Sequence, residues 1–140
     1  MHADHGSVTI CIVESDESVR RSLARLVHSH GFKTLTFEDV DQLLASPELG
    51  EAGCVISDVL ASGAAVTLVE GLRARGLGLP VILQMADESD SLRARAQKAG
   101  VAACFLKPVD GQALADAIDW ALSAPRSDEF VRQENRGGRP

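Results

Sequence analysis

Three residues of the sequence have the chemistry to bind a phosphoryl group and the metal ion that accompanies it. Glu14, Asp58 and Lys107 each follow a short apolar run. Carboxylate oxygens suit Mg²⁺, which typically takes one or two protein carboxylates together with a phosphate oxygen. A lysine ammonium is a compact charge that can neutralise phosphoryl oxygens. If the three runs are neighbouring parallel strands, their carboxyl ends share one edge of a sheet. The spacing therefore predicts one cleft with two carboxylates and one ammonium.

Five apolar runs alternate along the chain with segments of helical periodicity. The predicted strands are 8–13, 34–37, 54–57, 81–83 and 103–106, and the predicted helices are 17–30, 40–45, 65–75, 89–99 and 111–123. Such alternation is typical of repeated β-α units around a parallel sheet. We expect one α/β domain over residues 7–123, a flexible leader over residues 1–6 and a polar, disordered tail over residues 124–140.

Composition excludes several classes of function. The chain has 140 residues, with 20 acidic and 14 basic side chains and a formal net charge of −6. This balance argues against binding nucleic acid, whose phosphates would be repelled. The sequence has neither an apolar run of transmembrane length nor a secretory leader, so we expect a cytoplasmic protein with no membrane partner. The 3 cysteines lie in apolar segments, which is typical of reduced thiols rather than of zinc ligands.

Four segments of the sequence resemble the receiver domain of two-component response regulators, over roughly residues 7–123. They are residues 12–20, 55–58, 80–83 and 105–109, which read IVESDESVR, VISD, PVIL and FLKPV. The resemblance implies a flavodoxin-like (βα)5 fold with strand order 2-1-3-4-5. It also implies that Asp58 accepts a phosphoryl group from a histidine kinase, that Lys107 binds this group, and that Mg²⁺ is bound beside it.

The metal-binding part of the family pattern is incomplete. The acidic pair expected after the first strand falls on Glu14 and Ser15, so a neutral hydroxyl stands where a carboxylate is expected. The resemblance implies Mg²⁺ ligands from Glu14, Asp58 and the backbone of Leu60, with Ser15 as the degenerate position. One carboxylate fewer means weaker attraction of Mg²⁺. Asp16 and Glu17 could replace it, but acids at this point more often cap a helix.

The switch residues of the family also depart from the pattern. The hydroxyl residue expected on the fourth strand falls on Met85, which cannot donate a hydrogen bond to a phosphoryl group. The aromatic residue expected on the fifth strand falls on Cys104, with Phe105 next to it. Both departures concern how a phosphoryl group would be coupled to the rest of the domain.

The resemblance also implies a contact surface formed by the fourth helix, the fifth strand and the fifth helix. Arg93, Arg95, Phe105 and Trp120 fall on these elements. We therefore expect a homodimer, or a contact with an unidentified downstream protein, through this surface. Tryptophan and arginine are enriched among the residues that dominate binding energy at interfaces.

Two functional hypotheses follow, and two others are weaker. The first is an atypical single-domain response regulator that is phosphorylated on Asp58. The second is a pseudo-receiver, an interaction module that works without phosphorylation, in which Asp58 and Lys107 form a buried ion pair. A flavodoxin-type electron carrier is disfavoured because acids after the first strand would repel its phosphate. An aspartyl phosphatase is disfavoured because Leu60 occupies the position of its second acid.

Overall fold

Five parallel strands form one sheet in the computed structural model, which describes residues 8–58 and 64–123. The order across the sheet is β2-β1-β3-β4-β5, as the resemblance implies. The strands are β1 (Thr9–Val13), β2 (Lys33–Phe37), β3 (Ala52–Asp58), β4 (Val81–Met85) and β5 (Ala103–Leu106). The connections between parallel strands are long enough to carry helices, as β-α units require. The flavodoxin-like α/β prediction is confirmed.

Helices with side-chain and glycine caps follow the strands within the described residues. They are α1 (Glu17–Ser29), α2 (Val40–Leu44), α3 (Ala64–Ala74), α4 (Asp90–Ala99) and α5 (Gly111–Ser123), with a short 3₁₀ turn at Leu49–Glu51. Asp16 caps α1 by accepting a hydrogen bond from the backbone N–H of Val19 at 3.0 Å. Gly100 ends α4 in the left-handed conformation, with φ of 98°. The capping role preferred for Asp16 is therefore confirmed.

Alternating strand residues face two separate apolar layers. Along β1, Ile10 and Ile12 pack in a cluster with residues of α1 and α5, whereas Cys11 and Val13 pack in a cluster with residues of α2, α3 and α4. The same alternation runs through β3 and β4. Because side chains alternate along a strand, the parity of a residue's position determines which layer it faces. The helices thus cover both sides of the sheet, which is expected of parallel strands.

Two predicted strands were too short. β3 begins at Ala52 and includes Asp58, where the sequence predicted 54–57, and β4 continues to Met85, where the sequence predicted 81–83. β3 pairs with β1 on one side and β4 on the other, so tertiary pairing extends it across Gly53. Gln84 is polar but only 4% exposed, and it keeps its place in the ladder. Pairing with β3 and β5 therefore carries β4 beyond the predicted end at residue 83.

The other boundaries agree with the predictions to within one residue, and those of β5 and α5 are as predicted. The predicted leader over residues 1–6, the predicted tail over residues 124–140 and the predicted metal contact of the Leu60 backbone lie outside the described residues. No helix in the described part of the chain is both long and apolar enough to cross a membrane.

Candidate functional site

Glu14, Asp58 and Lys107 lie together at the carboxyl edge of the sheet. Glu14 directly follows β1 and is 2% exposed, Asp58 is the last residue of β3 and is 6% exposed, and Lys107 directly follows β5. The Lys107 Nζ atom is 2.9 Å from Glu14 Oε1 and 3.9 Å from Asp58 Oδ2. Two buried carboxylates thus share one ammonium, in the arrangement that the spacing predicts.

The backbone around Glu14 fixes its carboxylate in the site. The Glu14 N–H donates to the carbonyl of Phe37 on β2 at 3.0 Å, and the Arg20 guanidinium donates to the Glu14 carbonyl at 2.8 Å. Of its two carboxylate oxygens, Oε2 accepts from the Asp16 N–H at 3.1 Å and Oε1 accepts from Lys107. Both oxygens therefore have a donor, which offsets part of the cost of burying the Glu14 carboxylate.

Lys107 is held by the edge of β4. Its backbone N–H donates to the carbonyl of Met85 at 2.8 Å, and the Lys107–Pro108 peptide bond is cis. The side chain is 26% exposed, so the ammonium lies at the mouth of the pocket rather than deep within it. This position leaves the ammonium accessible to an incoming anion.

Asp58 is less fully partnered than Glu14. Within the described residues, its Oδ2 atom is buried and has no hydrogen-bond partner. The pKa of Asp58 is raised from 3.8 to about 6, chiefly by burial and next by the charge and carboxyl contact of Glu14, against the opposing effects of Lys107 and the Ser15 N–H. Asp58 is therefore ionised at neutral pH, and a carboxylate oxygen with an unused lone pair is able to act as a nucleophile.

The donor set of the pocket fits Mg²⁺. Glu14 and Asp58 supply two carboxylates, which is what this ion typically takes from a protein. Ser15 is exposed beside them and carries only a neutral hydroxyl, and no cluster of three or more metal-ligating side chains occurs in residues 8–58 and 64–123. Asp16 caps α1 and Glu17 lies 3.7 Å from Arg21 on the surface, so neither replaces the missing acid.

The predicted switch positions have the strand parity opposite to that of the carboxylates, but Met85 lies at the same carboxyl edge of the sheet as Asp58, because each is the last residue of its strand. Met85 ends β4 and is fully buried, and Cys104 is half-buried against the layer of α2, α3 and α4. Burial raises the pKa of the Cys104 thiol. Phe105 packs against the layer of α1 and α5 instead. A sulfur atom stands at both switch positions, where a hydroxyl and an aromatic ring are expected.

All three cysteines are free thiols, as predicted. Burial raises the pKa of Cys11 to about 11 and that of Cys54 to about 12. Thiols with raised pKa values carry little thiolate at neutral pH and are poor nucleophiles. They serve as small apolar residues of the core.

The predicted contact surface has both charged and apolar groups. Arg93 on α4 contacts Glu88 at 2.7 Å and donates to the Cys104 carbonyl of β5 at 3.1 Å. Arg95 is exposed on the same helix, and Trp120 on α5 is 51% exposed. Leu106, which sequence reasoning did not single out, is 41% exposed at the end of β5. The sequence feature that could have identified Leu106 was its position at the end of the fifth apolar run, directly before Lys107.

Gln84 is the residue of the site that sequence reasoning missed. It lies on β4 next to Asp58, is 4% exposed, and carries a buried Oε1 atom with no hydrogen-bond partner among the described residues. The signal that could have identified it was a single polar residue inside the apolar run 81–85. The predicted strand 81–83 stops one residue before it.

Comparison with known proteins gives a consistent result. The family model described as the response regulator receiver domain matches residues 10–119. The chain is 36% identical over 121 residues to the C4-dicarboxylate transport transcriptional regulatory protein DctR of Rhodobacter capsulatus, covering 84% of this chain and 60% of DctR. It is 33% identical over 128 residues to the transcriptional regulatory protein TdiR of Thauera aromatica, covering 91% of this chain and 56% of TdiR.

A solved structure extends the likeness beyond transcriptional regulators. The structure of a putative pilus assembly protein, CpaE, of Burkholderia thailandensis is 28% identical with a TM-score of 0.72, and the match covers 84% of this chain and 99% of that one. The chain spans only about 60% of the length of the two curated relatives. What those relatives do beyond this region is a property of the longer proteins.

Proposed function

The chain belongs to the response regulator receiver domain family, and from this premise we propose that it accepts a phosphoryl group on Asp58 from a histidine kinase. The observation that carries the proposal is the shared pocket, in which Asp58 keeps a partnerless Oδ2 atom 3.9 Å from the ammonium of Lys107. Receiver domains are signalling modules rather than enzymes, so the chain acts as a phosphoacceptor with at most self-catalysed phosphoryl transfer.

The proposed transfer needs positioning and charge neutralisation more than covalent catalysis. A carboxylate oxygen of Asp58 attacks the phosphorus of a kinase phosphohistidine. The new O–P bond forms as the P–N bond breaks, and the imidazole leaves with the bonding electrons and takes up a proton. Lys107 stabilises the negative charge on the phosphoryl oxygens, as preorganised cations do in such sites.

Glu14 and Asp58 would hold Mg²⁺, with the Leu60 backbone as a further ligand. When bound, the ion neutralises charge on the transferred group. Glu14 keeps its carboxylate oriented through the Asp16 N–H, so this ligand is preorganised even without Ser15 supplying a second acid. We expect weak Mg²⁺ binding, since the site lacks one negative charge.

We propose that the output is a protein-protein contact through α4, β5 and α5. Arg93, Arg95, Phe105 and Trp120 are the candidate contact residues, and Met85 and Cys104 are the candidate switch residues. Because neither sulfur residue is a good hydrogen-bond donor, the signal reaches this surface by packing changes. The partner in this contact is a second copy of the chain or another protein. We propose that the chain acts in the cytoplasm, together with its histidine kinase.

A pseudo-receiver that works without phosphorylation is the second candidate. The ion pair of Lys107 and Glu14 at 2.9 Å favours it, because this contact holds the lysine in the absence of any phosphoryl group. In this case the contact surface would act constitutively.

Labelling with a small-molecule phosphodonor separates the two candidates. The protein is incubated with radiolabelled acetyl phosphate and Mg²⁺, alongside Asp58→Asn and Glu14→Gln. A phosphorylated receiver incorporates label that Asp58→Asn loses entirely and Glu14→Gln loses largely, because Glu14 is a proposed metal ligand. Equal labelling of the protein and Asp58→Asn, or none in either, would overturn the proposal and favour the pseudo-receiver.

A further inference from the structure

Four polar residues occupy matching places on four neighbouring strands. Glu14, Asp58 and Lys107 continue the same parity as the residues of β1, β3 and β5 that pack toward α1 and α5, and Gln84 on β4 has this parity too. Since parity determines the face of a strand, the four side chains lie on one side of the sheet. Gln84 on β4 carries an uncharged amide, whereas the other three side chains are charged.

Gln84 is the immediate strand neighbour of Asp58. The two residues are paired in the register of β3 and β4, and neighbouring strands lie about 4.8 Å apart. Their side chains therefore stand side by side. Both are more than nine-tenths buried, and among residues 8–58 and 64–123 each has one oxygen without a hydrogen-bond partner, Oδ2 in Asp58 and Oε1 in Gln84.

Burying a side-chain amide with an unbonded polar atom in an apolar layer is energetically unfavourable. Ile82 precedes Gln84 on the same face, and Phe105 is its neighbour on β5, so an aliphatic side chain would pack there without losing hydration. Buried polar atoms are almost always paired, and an exception calls for a specific explanation. The explanation that fits its position next to Asp58 is a ligand that arrives later.

The position across the sheet indicates which ligand Gln84 would meet. β4 lies between β3 and β5, so Gln84 is on the Lys107 side of Asp58, whereas Glu14 comes from β1 on the other side. In the function proposed above, Glu14 holds the metal ion and Lys107 binds the phosphoryl group. The two ends of a side-chain amide have nearly the same shape, so a half turn of its last torsion presents Nε2–H in place of Oε1.

We propose that the side-chain amide of Gln84 donates a hydrogen bond to the phosphoryl group on Asp58 and so replaces the hydroxyl that Met85 does not supply. This inference rests on the proposed phosphorylation of Asp58 and adds a residue to that site. It explains how a receiver without the expected donor on β4 binds the group, and it assigns a use to a costly buried amide.

Binding of beryllium trifluoride, a stable mimic of a phosphoryl group on a carboxylate, tests this assignment. Affinity in Mg²⁺ is measured by calorimetry for the protein, Gln84→Met and Asp58→Asn, and Mg²⁺ affinity is measured alone. Gln84→Met keeps the unbranched shape without the donor, so we expect about tenfold weaker binding of the anion, the size of one hydrogen bond to a charged group. We expect its Mg²⁺ affinity to stay within about twofold, which a general loss of structure would not allow.

Rescue provides the matched control. Met85→Thr introduced into Gln84→Met should restore anion binding by a larger factor than Met85→Thr does alone, because each donor is redundant when the other is present. If Gln84→Met does not fold by circular dichroism, Gln84→Asn keeps an amide that is too short to reach, and the same weakening is expected.

The outcomes distinguish the two proposals. Anion binding by the protein that Gln84→Met leaves within twofold, or an equal effect of Met85→Thr in both backgrounds, would overturn the role of Gln84 alone. Anion binding no tighter in the protein than in Asp58→Asn would overturn both the phosphoacceptor and the role of Gln84.

Discussion

At the scale of single residues, the site combines one fully bonded carboxylate with one that is short of partners. Glu14 has a donor for each oxygen, whereas Asp58 has a raised pKa and an oxygen without a partner. The hydrogen bonds of Glu14 thus hold its carboxylate in one orientation, whereas the unbonded oxygen of Asp58 is available to react. We therefore expect replacement of Glu14 and replacement of Asp58 to have different effects.

Replacing Asp58 should stabilise the protein at neutral pH. The folded state raises the pKa of Asp58 from 3.8 to about 6, so its contribution is favourable below pH 3.8 and is lost as the pH rises through 6. Above that, the buried charge costs up to about 3 kcal/mol. We expect Asp58→Asn to raise the free energy of unfolding at pH 7.5 in EDTA and to lose this advantage near pH 4. Urea titrations at both pH values measure it.

Replacement of the exposed Asp87 by Asn is the control, because it removes an acid outside the pocket. Equal effects of the two replacements at pH 7.5, or a greater advantage of Asp58→Asn at pH 4 than at pH 7.5, would contradict the electrostatic account of the site.

Replacing Ser15 should strengthen metal binding. Ser15→Asp restores the second acid next to Glu14, and the added charge should increase Mg²⁺ affinity about tenfold in calorimetry. Ser18→Asp is the matched control, because it adds the same charge to an exposed serine in the first turn of α1. Equal gains from both variants would indicate a general charge effect instead of a ligand at position 15.

At the scale of elements, the caps and breakers of the helices follow directly from residue type. Asp16, Asp39 and Ser89 each accept a hydrogen bond from the first turn of a helix. Gly100 adopts φ of 98° at the end of α4, where a Cβ atom would be strained. These local devices set where α1, α2 and α4 begin and where α4 stops.

Gly100→Ala should lower the free energy of unfolding by about 1 kcal/mol, because only glycine takes the left-handed conformation without cost. Gly50→Ala is the control, since a Cβ atom at Gly50 meets nothing within 4 Å. Urea unfolding of both variants checks this expectation. A loss in Gly50→Ala as large as that in Gly100→Ala would show that the cap conformation is not the cause.

The sequence was sufficient for the order of elements but not for every strand end. Local signals, such as the acid before α1 and the glycine after α4, identify helix boundaries because their physics is local. The ends of β3 and β4 depend on pairing with strands distant in sequence, so the predicted strand 81–83 leaves out Gln84 and its place beside Asp58. The grouping of Glu14, Asp58 and Lys107 was predictable because each directly follows an apolar run.

At the scale of the whole molecule, the α4-β5-α5 surface exposes two large apolar side chains. Trp120 and Leu106 are 51% and 41% exposed. We expect beryllium trifluoride with Mg²⁺ to increase self-association through this surface, measured by analytical ultracentrifugation. Trp120→Ala should reduce the association, whereas Val66→Ala, which trims an exposed side chain on α3, should not.

A protein that stays monomeric at high concentration with and without the anion would contradict the homodimer. The proposed contact through α4, β5 and α5 would then be made only with a different protein.

The most direct test of the central claim is the intact mass of the protein after treatment with acetyl phosphate and Mg²⁺ at pH 7.5. We expect a gain equal to one phosphoryl group, reduced by EDTA and absent in Asp58→Asn. A mass that does not change, or that changes equally in Asp58→Asn, would contradict the assignment of Asp58 as the phosphoacceptor.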